Sequence, residues 1–392
     1  MSFFRPFKLE RFFAEYEFSV RHLLSSSDCE TMTARELLAL EDGALDRFLD
    51  LRLGYTETRG DPELRAALAA RYEGIGPESL IVHAGAEEAI LELFLAVLEP
   101  GDRVLVNFPC YQSLAEIPRA LGCEVEPWPL RERAAAPGSP ARWAFDVEAL
   151  ESLLRKPARL VVLNAPHNPT GALPTRDEFD AIVGLCRKSG ALLFSDEVYR
   201  LLERDPARRL PAACEAYEDG VSLGVLSKNA GLAGLRIGWL ASRRADILES
   251  VLAAKDYGTI CNSAPSEFLA LVAARRLDEL VARSRSIIDR NLALLGGFFE
   301  RRAGFASWTP PEGGSVGFPR IAPAERLAFA RLPEGEVDAE ALARKLASEA
   351  GIMILPGSCY GCEASRFRLG FGRTNLPAAL AALEDWLDRR KP

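Results

Sequence analysis

The sequence predicts an α/β protein with two domains: a large three-layer αβα domain around a mainly parallel seven-stranded sheet, and a smaller α+β domain. Two observations lead to this prediction. A chain of 392 residues is too long for one simple core and suits a large domain with a smaller one. Seven short apolar runs are mostly separated by segments of helix length, which is the pattern of a parallel sheet covered by helices.

The seven predicted strands follow one another over the middle of the chain. In chain order they cover residues 80–83, 103–107, 124–128, 160–163, 192–195, 222–226 and 237–241. Active sites of parallel sheets gather at the carboxyl ends of the strands. Gly85, Asp196 and Lys228 each closely follow one of these runs, so we expect the three residues to meet at one edge of the sheet.

The domain boundaries are predicted from the later part of the chain. The large domain is expected to cover residues 46–286, and the small domain residues 1–45 together with 287–392. A long helix over residues 277–299 is expected to join them, because Leu, Ile and Val recur there at helical spacing. Residues 131–142 are rich in Ala, Pro and Gly and predict a surface loop.

Composition disfavours several classes of protein. The net charge is −8 and the arginines are scattered, which argues against general nucleic-acid binding. No run approaches the ~18 apolar residues of a membrane helix, and no apolar signal segment follows the first eight residues. The eight cysteines do not suggest a disulfide framework in a chain of this size, so we expect a cytoplasmic protein without a membrane partner.

A metal site is not predicted. Cys359-x-x-Cys362 is the one suggestive pair of cysteines. A zinc site usually needs a second such pair or nearby histidines. None lies close in the sequence, because the three histidines stand at positions 22, 83 and 167.

Lys228 is the strongest candidate for a reacting group. It follows an apolar, strand-like run and opens the Gly-rich turn Ser227-Lys228-Asn229-Ala230-Gly231-Leu232-Ala233-Gly234-Leu235-Arg236. A buried lysine amine with a lowered pKa can form a Schiff base with a carbonyl cofactor. The alternative is a lysine that merely caps a turn.

Two further motifs come before this lysine. They are Asn164-Ala165-Pro166-His167-Asn168-Pro169-Thr170-Gly171 and Ser195-Asp196-Glu197-Val198-Tyr199. The order Asn-Pro-Thr-Gly, then Asp-x-x-Tyr, then Ser-Lys with an arginine eight positions on resembles the class I/II aminotransferases, which are pyridoxal-phosphate enzymes of fold type I. The likeness extends from about residue 55 to residue 386.

The resemblance implies a complete cofactor site. Lys228 would hold pyridoxal 5′-phosphate as an internal aldimine, and the buried carboxylate of Asp196 would keep the ring nitrogen protonated. Asn168 and Tyr199 would contact the ring hydroxyl, and Tyr111 would stack on the ring. The phosphate would be held by the turn after the first strand and by the lysine motif, at Gly85, Ala86, Ser227 and Arg236.

Each of these positions also has an ordinary structural explanation. Asp196 could cap a helix, Asn168 could stand in a turn before proline, and Tyr111 could be a core aromatic. Taken together these explanations are implausible, because they would have to reproduce one cofactor's contact set by accident. By the same resemblance Lys228, Asp196 and Tyr199 would act in catalysis.

The substrate end is expected near the C-terminus. Pro356-Gly357-Ser358-Cys359-Tyr360-Gly361 and Phe367-Arg368-Leu369 resemble the family's Pro-Gly-x-x-Phe-Gly and Phe-Arg-Leu motifs. Arg368 would therefore grip the substrate α-carboxylate, which suits a planar guanidinium, and Asn168 would also contact substrate. Arg366 and Arg373 are nearby alternatives. Family members commonly dimerise, and Tyr55 matches the tyrosine that reaches the neighbouring phosphate, so a homodimer is expected.

The function implied is transfer of an amino group from an L-amino acid to a 2-oxo acid by a ping-pong mechanism through Lys228. The same scaffold also supports lyases and cyclases, with β-elimination, aminocyclopropane-carboxylate-type closure or tailoring of arginine-type amino acids, and these stay open. A non-catalytic regulator is disfavoured, because no basic helix-turn-helix pattern precedes the large domain.

Three departures from the family pattern bear on the substrate. Val225 stands where a phosphate-binding serine is common, and Ser227 is positioned to compensate. Residues 25–30, Ser-Ser-Ser-Asp-Cys-Glu, replace the usual glycine-containing strand over the substrate. They would either meet a cationic or hydroxylated side chain or cap the helix near Thr33. Residues 255–262 lack the second arginine of dicarboxylate-specific relatives, which disfavours aspartate as donor.

Overall fold

The computed structural model of the protein describes residues 3–134, 141–323, 325–333 and 335–390. The α-helices are α1 (Lys8–Tyr16), α2 (Ala34–Leu38), α3 (Ala44–Leu49), α4 (Pro62–Ala69), α5 (Ala86–Val97), α6 (Ser113–Ala120), α7 (Val147–Leu153), α8 (Arg176–Ser189), α9 (Ala213–Ala216), α10 (Leu226–Asn229), α11 (Ala245–Lys255), α12 (Ala264–Arg275), α13 (Leu277–Arg301), α14 (Ala339–Ala350) and α15 (Leu376–Asp388).

The strands are β1 (His22–Leu23), β2 (Leu80–His83), β3 (Arg103–Phe108), β4 (Glu124–Ala134), β5 (Ala141–Phe145), β6 (Leu160–Asn164), β7 (Leu192–Asp196), β8 (Gly220–Val225), β9 (Gly238–Ser242), β10 (Ala306–Ser307), β11 (Val316–Gly317), β12 (Arg320–Ile321), β13 (Ile352–Met353), β14 (Leu355–Pro356) and β15 (Phe367–Gly370). Short 3₁₀ turns lie at Pro77–Ser79, Pro206–Arg208, Ala233–Leu235, Glu325–Ala330 and Gly357–Tyr360.

A mainly parallel sheet forms the centre of the molecule. Its strand order is β2-β9-β8-β7-β6-β3-β4-β5. The pairs from β8 to β4 are parallel, whereas β9 is antiparallel to both neighbours and β5 is antiparallel to β4. The predicted α/β class is therefore confirmed. All seven predicted strands are present, six of them within two residues of their expected bounds, whereas β4 extends six residues beyond its predicted end.

The sheet has one strand more than predicted. The expected loop over residues 131–142 is wrong at both ends, because Arg131 to Ala134 continues β4 and pairs with β5. Residues 135–140 lie outside the described residues. The extension of β4 was missed because residues 131–133 are all charged, and β5 was missed because its apolar part, residues 143–145, is only three residues long. Arg131 and Arg133 instead turn outward and both donate hydrogen bonds to Asp146.

Helices cover both faces of the sheet at its β2–β9 edge. Ile81 and Leu240 belong to one apolar cluster, which includes side chains of α5 and α11. Their strand neighbours Val82 and Trp239 belong to a second cluster, built with side chains of α4 and α12. Because successive side chains of a strand point to opposite faces, the alternation shows that this sheet is the middle of three layers.

The N-terminal segment crosses to the C-terminal part of the chain. Strand β1 pairs in parallel with β13, and the N–H of Gly370 donates to the carbonyl of Leu24 at 2.7 Å. Residues 24–30 thus lie beside the end of β15, close to the carboxyl edge of the central sheet. The predicted long helix is present as α13, which spans 25 residues.

No helix within the described ranges combines the length and apolar character needed to cross a membrane.

The contact between Gly370 and the N-terminal segment yields a stability prediction. A Cβ atom at Gly370 would lie 1.6 Å from the carbonyl oxygen of Ser26, so Gly370→Ala must push the segment away. Overpacking of this kind typically costs roughly 1–3 kcal/mol. We expect a lower Tm in thermal unfolding and faster proteolytic cleavage near residue 26.

Gly184→Ala is the matched control. Gly184 lies inside α8, and no atom would meet its Cβ within 4 Å. Alanine in an exposed helix interior is favoured over glycine by up to ~1 kcal/mol. An equal or higher Tm is therefore expected for this variant. A Gly370→Ala protein as stable and as protease-resistant as the control would show that the segment is not held there.

Candidate active site

Lys228 lies at the wall of a cavity at the carboxyl edge of the sheet. Strand β8 ends at Val225, and the single helical turn α10 carries the lysine outward. Its Nζ donates a hydrogen bond to Oγ of Ser27 at 2.7 Å. Exclusion of water lowers the pKa of this amine below its ordinary value, an effect that Asp28 opposes and Arg368 reinforces.

Asp196 supplies a buried carboxylate to the same cavity. It ends β7, and its side chain is fixed by an N–H of Val198 that donates to Oδ1 at 3.2 Å. Asn164, at the end of the adjacent strand, donates through Nδ2 to the Asp196 carbonyl. Burial raises the pKa of Asp196 to about 7. Because so few groups stabilise its negative charge, this carboxylate is well suited to a cationic N–H partner.

Asn168 is positioned by the strand before it. Asn164 Oδ1 accepts the N–H of Asn168 at 2.6 Å, so one side chain positions both Asn168 and Asp196. Tyr199 lies across the cavity, where its hydroxyl donates to the carbonyl of Ser27 at 3.0 Å. The third predicted ring contact, Tyr111, also lines the cavity.

The predicted phosphate end is formed by the turn between β2 and α5. Gly85 has a φ of 95°, a conformation that side chains disfavour. A Cβ there would lie 2.5 Å from Nη2 of Arg236, so the glycine allows the guanidinium to approach the helix N-terminus. Ala86 and Ser227 line the same end of the cavity, together with Val225. N–H groups at a helix N-terminus and a guanidinium are the donors that a phosphate needs.

Arg368 lies at the opposite end and is only 2% exposed. Its Nη2 donates to the carbonyl of Ser25 at 2.6 Å, and its Nη1 bonds to Tyr360 and to Asn168. Its Nε has no partner among the described residues. A buried guanidinium with a spare donor is ready for a carboxylate. Arg366 instead bonds to Glu132, away from the cavity.

Nine of the eleven predicted site residues line one cavity of about 340 Å³. They are Ala86, Tyr111, Asn168, Asp196, Tyr199, Ser227, Lys228, Arg236 and Arg368. Gly85 adjoins it through Arg236. Tyr55 is not brought to this cavity, since its side chain is 93% exposed. Its predicted contact with a neighbouring subunit remains a prediction.

Residues 25–30 are part of the cavity wall. Ser26, Ser27 and Asp28 line the cavity, and the alternative that the segment caps a helix is wrong. Thr33 itself caps α2, through a capping box with Glu36. The side chain of Asp28 is paired with Arg373 at 2.7 Å.

Two contributors were missed from the sequence. Ser27 belongs to a segment whose departure from the family pattern was the signal. Tyr360 has a hydroxyl that donates to Oδ1 of Asn168 at 3.3 Å and accepts from Arg368. It stands where the family's Pro-Gly-x-x-Phe-Gly motif has phenylalanine, so the extra hydroxyl was visible in the sequence.

These residues fit pyridoxal phosphate on three structural grounds. Asp196 is a buried carboxylate suited to a protonated ring nitrogen. The Lys228 amine, with its lowered pKa, lies in the same cavity. The approach of Arg236 over Gly85 builds a cradle that any side chain at position 85 would fill. The fold and the site together define a pyridoxal-phosphate-dependent enzyme of fold type I.

Comparison with known proteins identifies the family. The family model "Aminotransferase class I and II" matches residues 24–383, and the chain belongs to this family. It is 32% identical to capreomycidine synthase of Streptomyces vinaceus over 97% of this chain and 93% of that protein. It is 28% identical to arginine–pyruvate transaminase AruH of Pseudomonas aeruginosa, over 89% and 84% of the two chains.

A solved structure extends the comparison. The crystal structure of the pyridoxal-phosphate-dependent cyclase OrfR superposes with a TM-score of 0.87 at 29% identity, over 99% of this chain and 98% of that one. The predicted family, fold and cofactor are thus confirmed. The individual roles of the site residues remain proposals.

The Asp196 carboxyl yields a pH prediction for cofactor-free protein. Its pKa is about 7 in the folded protein against 3.8 ordinarily, so the folded state binds this proton more tightly. Its contribution to the free energy of unfolding is full below about pH 4 and is lost as the pH rises to about 7. Asp196→Asn abolishes this loss. The Tm of the variant relative to wild type should therefore rise between pH 4 and pH 7.

Asp180→Asn provides the control for the pH series. Asp180 is an exposed residue of α8 that pairs with Arg176. Its variant should keep the wild-type pH profile in thermal unfolding at constant ionic strength. A Tm difference between Asp196→Asn and wild type that stays constant over this range would show that Asp196 is not a strained buried carboxyl.

Proposed function

We propose that the protein is an aminotransferase that moves the amino group of an L-amino acid to a 2-oxo acid in two half-reactions at one site. The observation that carries the proposal is the placement of the Lys228 amine, the Asp196 carboxyl and the Arg368 guanidinium around one cavity. These three groups supply a nucleophile, a partner for a ring cation and a carboxylate anchor.

Each residue of the site is assigned a role in the reaction according to where it lies in the cavity. Bound pyridoxal phosphate supplies the electron sink that makes removal of the substrate α-proton feasible. Arg368 would hold the substrate carboxylate and so fix which bond of the α-carbon faces Lys228. The lowered pKa of Lys228 leaves more of its amine neutral than in an ordinary lysine, and the neutral amine can accept that proton. Ser27, 2.7 Å from Nζ, would orient the amine while it is free.

Two carboxylates at the mouth of the cavity favour an amino donor with a cationic side chain. Glu10 of α1 and Glu17, the residue that follows this helix, line the cavity together with Asp28. Asp28 is neutralised by Arg373, whereas neither glutamate forms an ion pair with a basic side chain of the described residues. Burial raises the pKa of Glu17; Arg373 opposes this rise, whereas the nearby carboxylates of Glu10 and Asp28 add to it. A cation among these carboxylates would relieve their mutual repulsion.

The same charges disfavour an acidic donor. Arg373 lines the cavity and could meet a second carboxylate, but its guanidinium is engaged by both oxygens of Asp28. An acidic side chain would have to displace Asp28 and then face Glu17. The 28% identity to an arginine–pyruvate transaminase supports the same substrate class, an amino acid with a basic side chain.

Cyclisation of such an amino acid is the second candidate. It is favoured by the likeness to the cyclase OrfR over 99% of this chain. It is favoured also by the match to capreomycidine synthase over 97% of this chain. In this reaction the proton would again be taken by Lys228, but a leaving group would depart and no 2-oxo acid acceptor would be consumed.

The exposed face around Tyr55 is proposed to pack against a second copy of the chain. Leu49, Leu53 and Tyr55 are exposed large apolar residues on one short segment, and Tyr257 is another. Such a cluster is unusual on a free surface. Packing against a second copy would let Tyr55 reach the neighbouring phosphate, as the family resemblance implies.

The reaction is tested by visible absorption of the protein with pyridoxal phosphate, beside Lys228→Ala. We expect a cofactor band that depends on Lys228, because the covalent link needs its amine. A panel of basic, neutral and acidic amino acids is then added without acceptor. One basic amino acid should bleach the band and yield its 2-oxo acid in a single turnover, and pyruvate should restore the band.

The products separate the two candidate reactions. Bleaching that a 2-oxo acid reverses supports transamination. A ring product, or ammonia release without any acceptor, would transfer the function to cyclase or lyase. A cofactor band of equal strength in Lys228→Ala would overturn both candidates.

The cationic-donor proposal predicts a selective effect of the cavity-mouth carboxylates. The double variant E10Q/E17Q should lower kcat/KM for basic amino acids by roughly 3- to 10-fold, since each partly exposed charge contributes about 0.2–1 kcal/mol. Neutral amino acids should be affected less than twofold, and the difference should shrink at high salt.

Glu15→Gln is the control on the same helix. Glu15 lies in α1 but pairs with Arg344, on the side turned away from the cavity. This variant should leave the preference among amino acids unchanged. If kcat/KM fell equally for basic and neutral amino acids in E10Q/E17Q, the proposal that the cavity mouth binds a cationic side chain would be contradicted.

A further inference from the structure

A second polar cluster lies outside the cavity, around Lys255. This lysine ends α11 and is fully buried, with 0% of its surface exposed. Its Nζ donates to Oε2 of Glu88 at 2.9 Å, to Oγ1 of Thr259 at 2.8 Å and to Oδ1 of Asn262 at 3.3 Å. All three ammonium donors are thus used. A buried cation is costly unless it is paired in this way.

Glu88 connects this lysine to the turn before α5. The same oxygen that bonds Lys255 accepts the backbone N–H of Ala84 at 2.6 Å. Ala84 precedes Gly85, whose N–H in turn donates to the carbonyl of His83 at 2.7 Å. The conformation of the turn that receives the phosphate is therefore tied to one carboxylate oxygen, and that oxygen is tied to Lys255.

The other neighbours of Glu88 cannot replace the lysine. His83 Nδ1 lies 3.7 Å from the same oxygen and 2.8 Å from Glu92. Burial lowers the pKa of His83 to about 3 and raises that of Glu92 to about 8, so both are neutral near pH 7. Ligand atoms of His83, Glu88 and Glu92 lie within 4.8 Å of one another, but the Lys255 ammonium already supplies the cation.

The charge of Glu88 matters because of its place. It stands in the first turn of α5, where the helix N-terminus attracts anions. A carboxylate there competes with a phosphate for the same partial charge and repels it. Pairing with Lys255 removes the net charge of Glu88 while its oxygen continues to hold the Ala84 N–H.

On its far side the cluster reaches the exposed face. Asn262 donates through Nδ2 to the carbonyl of Val82, the residue before His83, and its own carbonyl accepts the hydroxyl of Thr56. Thr56 follows Tyr55, and Tyr257, in the loop after Lys255, is 96% exposed. The cluster thus spans the distance between the proposed subunit contact and the turn.

We propose that Lys255 is a positioning residue for the cofactor phosphate: through Glu88 it holds the turn at residues 83–86 in its anion-binding conformation and neutralises the carboxylate beside it. The inference rests on the proposed function only in taking this turn as the phosphate site. Lys255 itself touches neither cofactor nor substrate.

The test compares binding of pyridoxal 5′-phosphate with binding of pyridoxal, which lacks the phosphate. Apparent Kd values are measured by visible-absorption titration of cofactor-free protein. Lys255→Met should weaken binding of pyridoxal phosphate at least 10-fold and leave pyridoxal within 2-fold. A role in folding alone would move both ligands together or neither.

A second variant tests the mechanism and guards against misfolding. In K255M/E88Q the unpaired carboxylate is gone while the amide oxygen can still accept the Ala84 N–H. The ratio of the two Kd values should therefore recover most of the way to wild type. Lys345→Met, which removes a partly exposed lysine paired with Glu349, should match wild type throughout.

The outcomes distinguish this inference from the proposed function. If wild type shows no Lys228-dependent band with pyridoxal phosphate, the site assignment itself fails. If wild type binds but the selectivity for phosphate is the same in Lys255→Met, the positioning role is overturned and the site assignment stands. A ratio that K255M/E88Q does not restore would overturn the electrostatic part of the role.

Discussion

The active site depends on ionisable side chains that are buried although their charges are only partly compensated by other protein groups. Asp196 and Arg368 are each almost fully buried, and Lys228 shares their cavity. Burial of an isolated charge costs free energy. Each of these groups is therefore held by a few hydrogen bonds, and Nε of Arg368 remains available for a further one. The parallel sheet makes this possible, because consecutive strand ends place Asn164, Asp196 and Lys228 side by side on rigid backbone.

The N-terminal segment closes the site on its open side. Ser25, Ser27 and Asp28 supply a carbonyl to Arg368, a hydroxyl to Lys228 and a carboxylate to Arg373. We therefore expect substrate preference to depend on the position of this segment as much as on the residues at the strand ends. Glu10 and Glu17, which form no ion pair within the described residues, line the same cavity as Ser27 and Asp28. The proposed charge of the amino donor therefore follows from side chains of the first 30 residues.

Sequence was sufficient for the strands and the turn motifs because both are local. An apolar run of five residues, or the order of Asn168, Asp196 and Lys228, is complete within a short stretch. For Ser27 and Tyr360 the sequence showed an unusual segment and an extra hydroxyl but not their partners, because the contacts with Lys228 and Asn168 join residues 201 and 192 positions apart. The hairpin strand β5 was missed because its apolar part, residues 143–145, is only three residues long, and because its partner residues 131–133 are all charged. Lys255 looked ordinary, since its burial arises from the packing of the loop that follows it.

The pairing of β1 with β13 also sets an order of events during synthesis. Residues 22–30 leave the ribosome long before residues 351–372. Their backbone hydrogen bonds within the described part of the chain nevertheless join them to β13, Gly351, Gly370 and Gly372. The central sheet can form while this segment waits in solvent. A nascent chain whose central sheet has formed before residue 372 is made therefore still lacks the cavity wall that residues 26–28 supply.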